Sequence, residues 1–273
     1  MSGPTLSPQV FAILSALIEE HTGLHYRLEE RDLLAEKLAP RLVERGLDSL
    51  LDYYYFLRYD PGAAAEFASL VEALVVNETF FFREAAALEM LVGHFIPELI
   101  GQGKRPRIWC AACATGEEPL TLAMMLDAAG LLDQVTVVAS DISLRVLARA
   151  REGMYFRRAL RALPPGVVDR WLEPRGDGMW VVPRIAAAVS WHRVNLVMEP
   201  EILALGQFDV IICRNVLIYF SDETTEKVIA SFARVLDDDG RLLVGASESL
   251  LRFDSAFVCE ERDGSFFYRK EAV

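Results

Sequence analysis

The spacing of apolar and polar positions divides the chain into two stretches of different period. Up to about residue 100 the apolar residues recur at helical spacing. Val10, Leu14, Leu17 and Ile18 share one face of a segment that Ser7 caps, Pro8 begins and Gly23 is placed to end. The same spacing predicts a second helix over Glu29 to Arg45 closed by Gly46, a third over Asp48 to Arg58 and a fourth over Pro61 to Val76. No strand signal interrupts them. Beyond Asn77 to Arg83, a helix over Glu84 to Leu99 leads into Gly101-Gln-Gly-Lys-Arg-Pro106, whose glycine, proline and charge mark a linker. The division this predicts is a helical N-terminal domain over 1–83, a connecting helix and linker over 84–106, and a second domain over 107–273.

After the linker the pattern alternates. Apolar strands are expected at Arg107 to Cys110, Val135 to Ser140, Val189 to Val194, Phe208 to Cys213 and Leu242 to Ala246, with helices between most of them. Such alternation predicts an α/β domain with a mainly parallel sheet and right-handed crossovers, the Rossmann-like doubly wound plan. Phe257 to Glu261 and Ser265 to Arg269, separated by Asp263-Gly264, read as a closing antiparallel hairpin. The stretch from Gly153 to Trp191 is too long for a plain connection and contains Pro164-Pro165, Gly176 and Gly178, so a small inserted subdomain is expected there.

Composition narrows the class. Of 273 residues, 52% are hydrophobic and 25% charged, enough apolar side chain for one or two packed domains. The start, Met1 to Val10, lacks a basic patch, and Glu19 and Glu20 break the first apolar stretch. Neither a signal peptide nor membrane insertion is therefore expected, and the cytoplasm is the expected location. Cys110, Cys113, Cys213 and Cys259 sit in apolar runs and read as reduced thiols. The single C-x-x-C formed by Cys110 and Cys113 lacks a second pair, so no metal is expected. A net charge of −12 argues against nucleic acid as the main partner.

In an open α/β sheet ligands lie at the carboxyl ends of the strands, near the point where strand order reverses. The first predicted strand opens there into Ala111-Ala-Cys-Ala-Thr-Gly-Glu-Glu-Pro119. A pyrophosphate would favour amide donors and several glycines; Glu117 and Glu118 would repel it. A ligand with an ammonium suits the loop better, held by a charge-assisted hydrogen bond. The plainer alternative is that both glutamates favour a helix N-terminus through its dipole. The second predicted strand ends in Asp141, at the separation expected of an acid that accepts from ribose hydroxyls, with a helix N-cap as the plainer role. The fourth delivers Arg214-Asn-Val-Leu-Ile-Tyr-Phe220 at its carboxyl end, polar and aromatic groups placed to touch a ligand or to pack. In Asn77-Glu-Thr-Phe-Phe-Phe-Arg83 three adjacent phenylalanines cannot all face one core, and some are placed to cover an adenosine or to pack between domains.

These segments, with Ala139 to Asp141 and Val194-Asn-Leu196, resemble in order and spacing the signatures of the chemotaxis receptor methyltransferases, the CheR family. The resemblance covers nearly the whole chain. It implies an all-α N-terminal domain, a class I S-adenosylmethionine-dependent methyltransferase domain and a small β-subdomain inserted in it. It implies transfer of the methyl group of S-adenosylmethionine to glutamate side chains of chemoreceptors, giving methyl esters and S-adenosylhomocysteine. By matching position, Asn77, Thr79, Arg83, Glu117, Asp141, Asn195, Leu196, Arg214 and Asn215 would bind or surround S-adenosylmethionine, with Tyr219 beside the reacting methyl and Arg83 orienting the incoming carboxylate or completing the cofactor site. Lys37, Arg41 and Arg45, at i, i+4 spacing on the second helix, would form a cationic stripe facing the acidic helices of the receptor's cytoplasmic domain. A monomer is the expected state. The alternatives are an S-adenosylmethionine sensor or scaffold without methyl transfer, and a methyltransferase with another acceptor.

Overall fold

The computed structural model describes residues 6–253, 255–262 and 264–270. Asp263, expected at the hairpin turn, and the first five residues lie outside these. The chain forms two compact units, one of residues 1–76 with 219–224, the other of residues 77–218 with 225–273.

The first unit is helical: α1 (Pro8–Thr22), α2 (Arg31–Arg45), α3 (Leu50–Tyr59) and α4 (Ala63–Leu74). The local signals act as read. The Ser7 side chain accepts from the Val10 N–H, and Gly23 and Gly46 end α1 and α2 in the left-handed region. A second serine, Ser49, caps α3. The core consists of Leu14, Leu17, Ile18, Leu34, Leu38, Leu57, Leu70 and their neighbours, all buried; each such side chain stabilises by about 1.5–3 kcal/mol.

The cationic stripe expected along α2 does not face outward as one surface. Arg41 is buried, and its Nε and Nη2 each donate at 2.8 Å to the two oxygens of Glu66, a residue of α4 with no exposed surface. Tyr53 donates to the same carboxylate at 2.7 Å, and Arg45 through its Nε. Arg41 also reaches Glu44, and the ammonium of Lys37 caps α4 by donating to the Leu74 carbonyl at 2.8 Å. The reason is the buried carboxylate. Burial alone would push the Glu66 pKa up, but hydrogen bonds from Arg41, Tyr53 and Arg45 hold it below the usual carboxylate value.

The second unit begins at Asn77, so 77–83 belongs with the sheet and not, as expected, with the helical domain. Phe81 explains why. It is fully buried, meets the Tyr155 ring edge-to-face at 4.7 Å, and its N–H donates to the Ala159 carbonyl. The expected single helix over 84–99 is α5 (Ala85–Met90) and α6 (Ile96–Gly101) joined by a π-helical turn, Leu91–Phe95.

Seven strands make the main sheet: β1 (Arg107–Ala111), β2 (Thr136–Asp141), β6 (Val189–Arg193), β7 (Phe208–Cys213), β8 (Leu236–Val244), β9 (Phe257–Arg262) and β10 (Ser265–Lys270). Their order is β6-β2-β1-β7-β8-β10-β9. The pairings from β6 to β8 are parallel, and β10 runs antiparallel to β8 and β9. Helices α7 (Glu117–Ala128), α8 (Leu144–Glu152), the short α11 (Glu199–Leu203) and α12 (Asp222–Val235) follow β1, β2, β6 and β7. The insertion carries β3 (Met154–Tyr155), β4 (Leu172–Arg175) and β5 (Gly178–Val181) in a second sheet, with α9 (Val167–Trp171) and α10 (Pro183–Ala186). It ends sooner than expected, because Val189 to Trp191 pair with β2 in the main sheet. Asp127 anchors it, accepting from Trp171 Nε1 and Arg184 Nε at 2.8 Å each. No helix among the described residues is long and apolar enough to cross a membrane.

Candidate active site

From β1 the chain builds outward through β2 to β6, then returns to β7 on the other side of β1. Strand order therefore reverses between β1 and β7, and the carboxyl ends around that point hold the predicted residues. Ala111 at the end of β1 is in register with Ser140 on one side and Cys213 on the other.

The loop after β1 is tightly kinked: Ala112 and Ala114 take φ of 52° and 47°, and Gly116 φ of 91°. Non-glycine residues in the left-handed region cost about 1–3 kcal/mol each and persist where surroundings enforce them. Here the Cys113 N–H donates to the Ser140 carbonyl and the Ala114 N–H to Asp141 Oδ2, both at 2.9 Å. Asp141 Oδ1 accepts the Ser143 N–H, while Ser143, not Asp141, caps α8. Asp141 is thus a buried acid whose two oxygens shape the β1 loop and the start of α8. At Gly116 a side chain has no room, since a Cβ would fall 2.7 Å from Trp191 and 2.8 Å from Ala150.

Gly116 turns the chain so that Glu117 begins α7. The Glu117 side chain is buried, and Thr115 Oγ1 donates to it at 2.7 Å. Burial raises its carboxyl pKa, opposed by the Thr115 hydroxyl and, from farther off, by Arg161. A helix N-terminus already favours an anion; a cation beside this one would relieve the remaining cost of burying it. Glu118 is different. Burial raises it too, but the Arg214 guanidinium opposes the rise at 3.0 Å.

The structure gives Arg214 a clasping geometry. Its Nη1 holds Glu118, and its Nη2 donates to Glu84 Oε2 at 2.8 Å and to the Arg83 carbonyl at 3.1 Å. These bonds tie the 77–84 segment to the end of β7. Phe82 and Glu84, on either side of Arg83, have φ of 60° and 47°. Thr121 adds a second tie, its hydroxyl accepting the Phe82 N–H and donating to the Glu117 carbonyl. Of the three phenylalanines, Phe81 enters the core, Phe82 is half-buried, and Phe80 lies under the Arg161 guanidinium, 3.8 Å from its ring centroid.

At the neighbouring strand ends, the Val194 N–H donates to the Asp141 carbonyl, which brings buried Asn195 and Leu196 beside that acid. Asn77 and Thr79 are half-buried. Tyr219 closes the turn Leu217–Tyr219 and groups with the helical unit, where its carbonyl accepts the His25 N–H.

Sequence reasoning missed Glu248, a buried acid in the loop after β8. Its Oε1 accepts from the N–H groups of Val216, Leu217 and Ile218, and its Oε2 from those of Asn215 and Gly245. One carboxylate thus sets the backbone after Arg214 and holds Asn215 at φ of 59°. The signal was available as an acid just past an apolar strand, in Gly245-Ala-Ser-Glu-Ser-Leu250. Cys110 and Cys113 are buried thiols pushed well above their usual pKa by burial, and no cluster of metal-ligating side chains occurs among the described residues.

A doubly wound sheet closed by an antiparallel hairpin, with Glu117 and Asp141 beside the carboxyl ends of β1 and β2, is the architecture of a class I S-adenosylmethionine-dependent methyltransferase. Residues 9–75 match the CheR methyltransferase all-alpha domain, and residues 77–265 the CheR methyltransferase SAM binding domain. The chain is 33% identical over 257 residues to chemotaxis protein methyltransferase 2 of Vibrio cholerae serotype O1, covering 92% of this chain and 89% of that protein. It is 32% identical to chemotaxis protein methyltransferase 1 of Pseudomonas aeruginosa, covering 95% and 97%, and 36% identical to the Salmonella typhimurium chemotaxis protein methyltransferase, covering 89% and 85%. The chain belongs to the CheR methyltransferase family.

Proposed function

We propose that this protein methylates glutamate side chains in the cytoplasmic domain of chemoreceptors, acting as a monomer in the cytoplasm. The observation that carries this reading is Glu117, a buried carboxylate of raised pKa at the start of α7, held by the Thr115 hydroxyl and a backbone N–H, beside the strand ends where doubly wound folds bind ligand. The residues present fit S-adenosylmethionine: Glu117 for its ammonium and Asp141 for its ribose hydroxyls. By the resemblance, Asn77, Thr79, Asn195, Leu196 and Asn215 would surround the remainder, and Arg214 would act through the backbone it clasps. When bound, S-adenosylmethionine would supply a sulfonium-activated methyl for transfer to an acceptor oxygen, with S-adenosylhomocysteine as the leaving product.

The acceptor carboxylate is an anion at neutral pH, so the protein has no proton to remove. Its task is alignment and exclusion of water. Arg83 suits orientation of the incoming carboxylate, because its guanidinium stays partly exposed while its Nη1 donates to the Glu78 carbonyl. Tyr219 is assigned a positioning hydrogen bond on the resemblance alone. Support also comes from the names of the similar proteins, each a chemotaxis protein methyltransferase.

The test is incubation of the purified protein with methyl-labelled S-adenosylmethionine and receptor cytoplasmic fragments from the same organism. Label on the fragment, released by mild base and lost when its glutamates are replaced, is the expected result. Base-stable label, or label on another residue type, refutes carboxyl methylation.

A further inference from the structure

Guanidinium groups gather beside this site although the chain carries a net charge of −12. Arg158 and Arg161, between β3 and α9, flank the Glu78 side chain, with their Nη2 atoms 3.1 and 3.5 Å from its Oε1. Arg161 lies over Phe80, and Arg83 faces the same ring from 5.9 Å. Three cations thus surround one phenyl ring and one carboxylate. Arg161 is also near enough to oppose the burial-driven rise of the Glu117 carboxyl. The cluster is therefore continuous with the cofactor end of the site.

Its two arginines are held differently. Arg161 rests on Phe80, whose neighbour Phe81 is fixed in the core, so its position does not depend on Glu78. The Arg158–Glu78 pair is open to water, with side chains 76% and 54% exposed. Exposed pairs of this kind are screened by water and contribute little, so an external carboxylate can take the place of Glu78. On α2, by contrast, Arg41 is committed to a buried partner. Glu84 is held by the Arg214 clasp and pairs with Arg83 at 3.7 Å, so it offsets Arg83 and leaves Arg158 and Arg161 to the acceptor.

We propose that Arg158, Arg161 and Phe80 form the acceptor-recognition surface, taking an acidic segment of the protein substrate whose carboxylates displace Glu78 beside the glutamate to be methylated. The inference rests on the carboxyl-methylation reading and specifies the kind of partner: a segment carrying several carboxylates close together. Glu78 then acts as a built-in competitor. Removing it and removing an arginine should change acceptor affinity in opposite directions.

The experiment measures methyl transfer to the receptor fragment by the full-length protein, with KM for the fragment at low and high salt and S-adenosylmethionine affinity by calorimetry. Arg158→Gln should raise KM about two- to fivefold, the equivalent of an exposed pair. Arg158→Glu should raise it further, and both should flatten its salt dependence. Glu78→Gln should lower KM. Turnover at saturating fragment and S-adenosylmethionine affinity should stay within about twofold in the Arg158 variants, which change only exposed atoms. Unchanged KM and salt dependence in both Arg158 variants overturns the proposal. A parallel loss of S-adenosylmethionine affinity also overturns it, assigning these arginines to the cofactor. If the wild-type protein transfers nothing to the fragment, the carboxyl-methylation reading itself fails; transfer with unaffected variants refutes the recognition surface alone.

Discussion

Replacing Glu66 by alanine separates a surface role for α2 from the structural role its arginines have here. Glu66 has no exposed surface and accepts hydrogen bonds from Arg41, Tyr53 and Arg45. Truncation leaves the buried Arg41 guanidinium without its main partner. Breaking a buried ion pair on one side costs about 3–5 kcal/mol. Arg41 keeps Glu44, which places the expected loss near the lower end, about 3 kcal/mol. Hydrogen exchange read by mass spectrometry over α2 and α4 reports this directly, because amides there exchange through opening of the helical unit. At about 1.4 kcal/mol per tenfold, their slowest amides should exchange about 150-fold faster. The pH dependence follows from the lowered pKa of Glu66. Its contribution is present above the ordinary carboxylate pKa and is lost as pH falls through the lowered one, so Glu66→Gln should blunt the acid sensitivity of these helices. A change of less than about threefold in exchange, under 1 kcal/mol, would refute the buried-pair account for Arg41.

Two other substitutions probe the second unit. Gly116→Ala places a Cβ against Trp191 and Ala150 in a left-handed backbone, so it should lower the thermal midpoint and abolish measurable S-adenosylmethionine binding. Glu248→Ala leaves five backbone N–H groups without their acceptor, at about 1–3 kcal/mol for each that stays buried and unpaired. Methyl transfer should fall at least about tenfold, with faster exchange confined to 215–218 and Gly245 if the rest of the fold holds.

Element types were legible in the sequence because the two periods are distinct, and the punctuation at Ser7, Gly23 and Gly46 works as written. Long-range pairing was not legible. Nothing local to α2 reveals that Arg41 faces a buried acid 25 residues away, since i, i+4 spacing of cations looks the same on a solvated face. The same holds for Arg214, whose partners Glu84 and Glu118 are brought together only by the sheet. Residues 77–83 looked like an appendage of the helical domain because the sequence does not show that Phe81 packs against Tyr155 from the inserted stretch. Glu117 and Asp141 were legible for the opposite reason. Their place beside the carboxyl ends of the strands follows from the fold class.

Calorimetric titration with S-adenosylmethionine in two buffers of different ionisation enthalpy, from about pH 7 to about pH 5, tests the role of Glu117 most directly. Burial raises its carboxyl pKa, so ionised Glu117 destabilises the ligand-free protein; stability from the protonated form is lost as pH rises through the raised value. A bound ammonium favours the ionised form, so binding should release protons and weaken as pH falls through the raised value. Glu117→Gln should abolish the proton release, weaken binding about ten- to hundredfold through loss of a charge-assisted hydrogen bond, and stabilise the ligand-free protein at neutral pH. Wild-type affinity in the Gln variant, or proton release that persists without the carboxyl, would contradict the assignment of Glu117 to the cation.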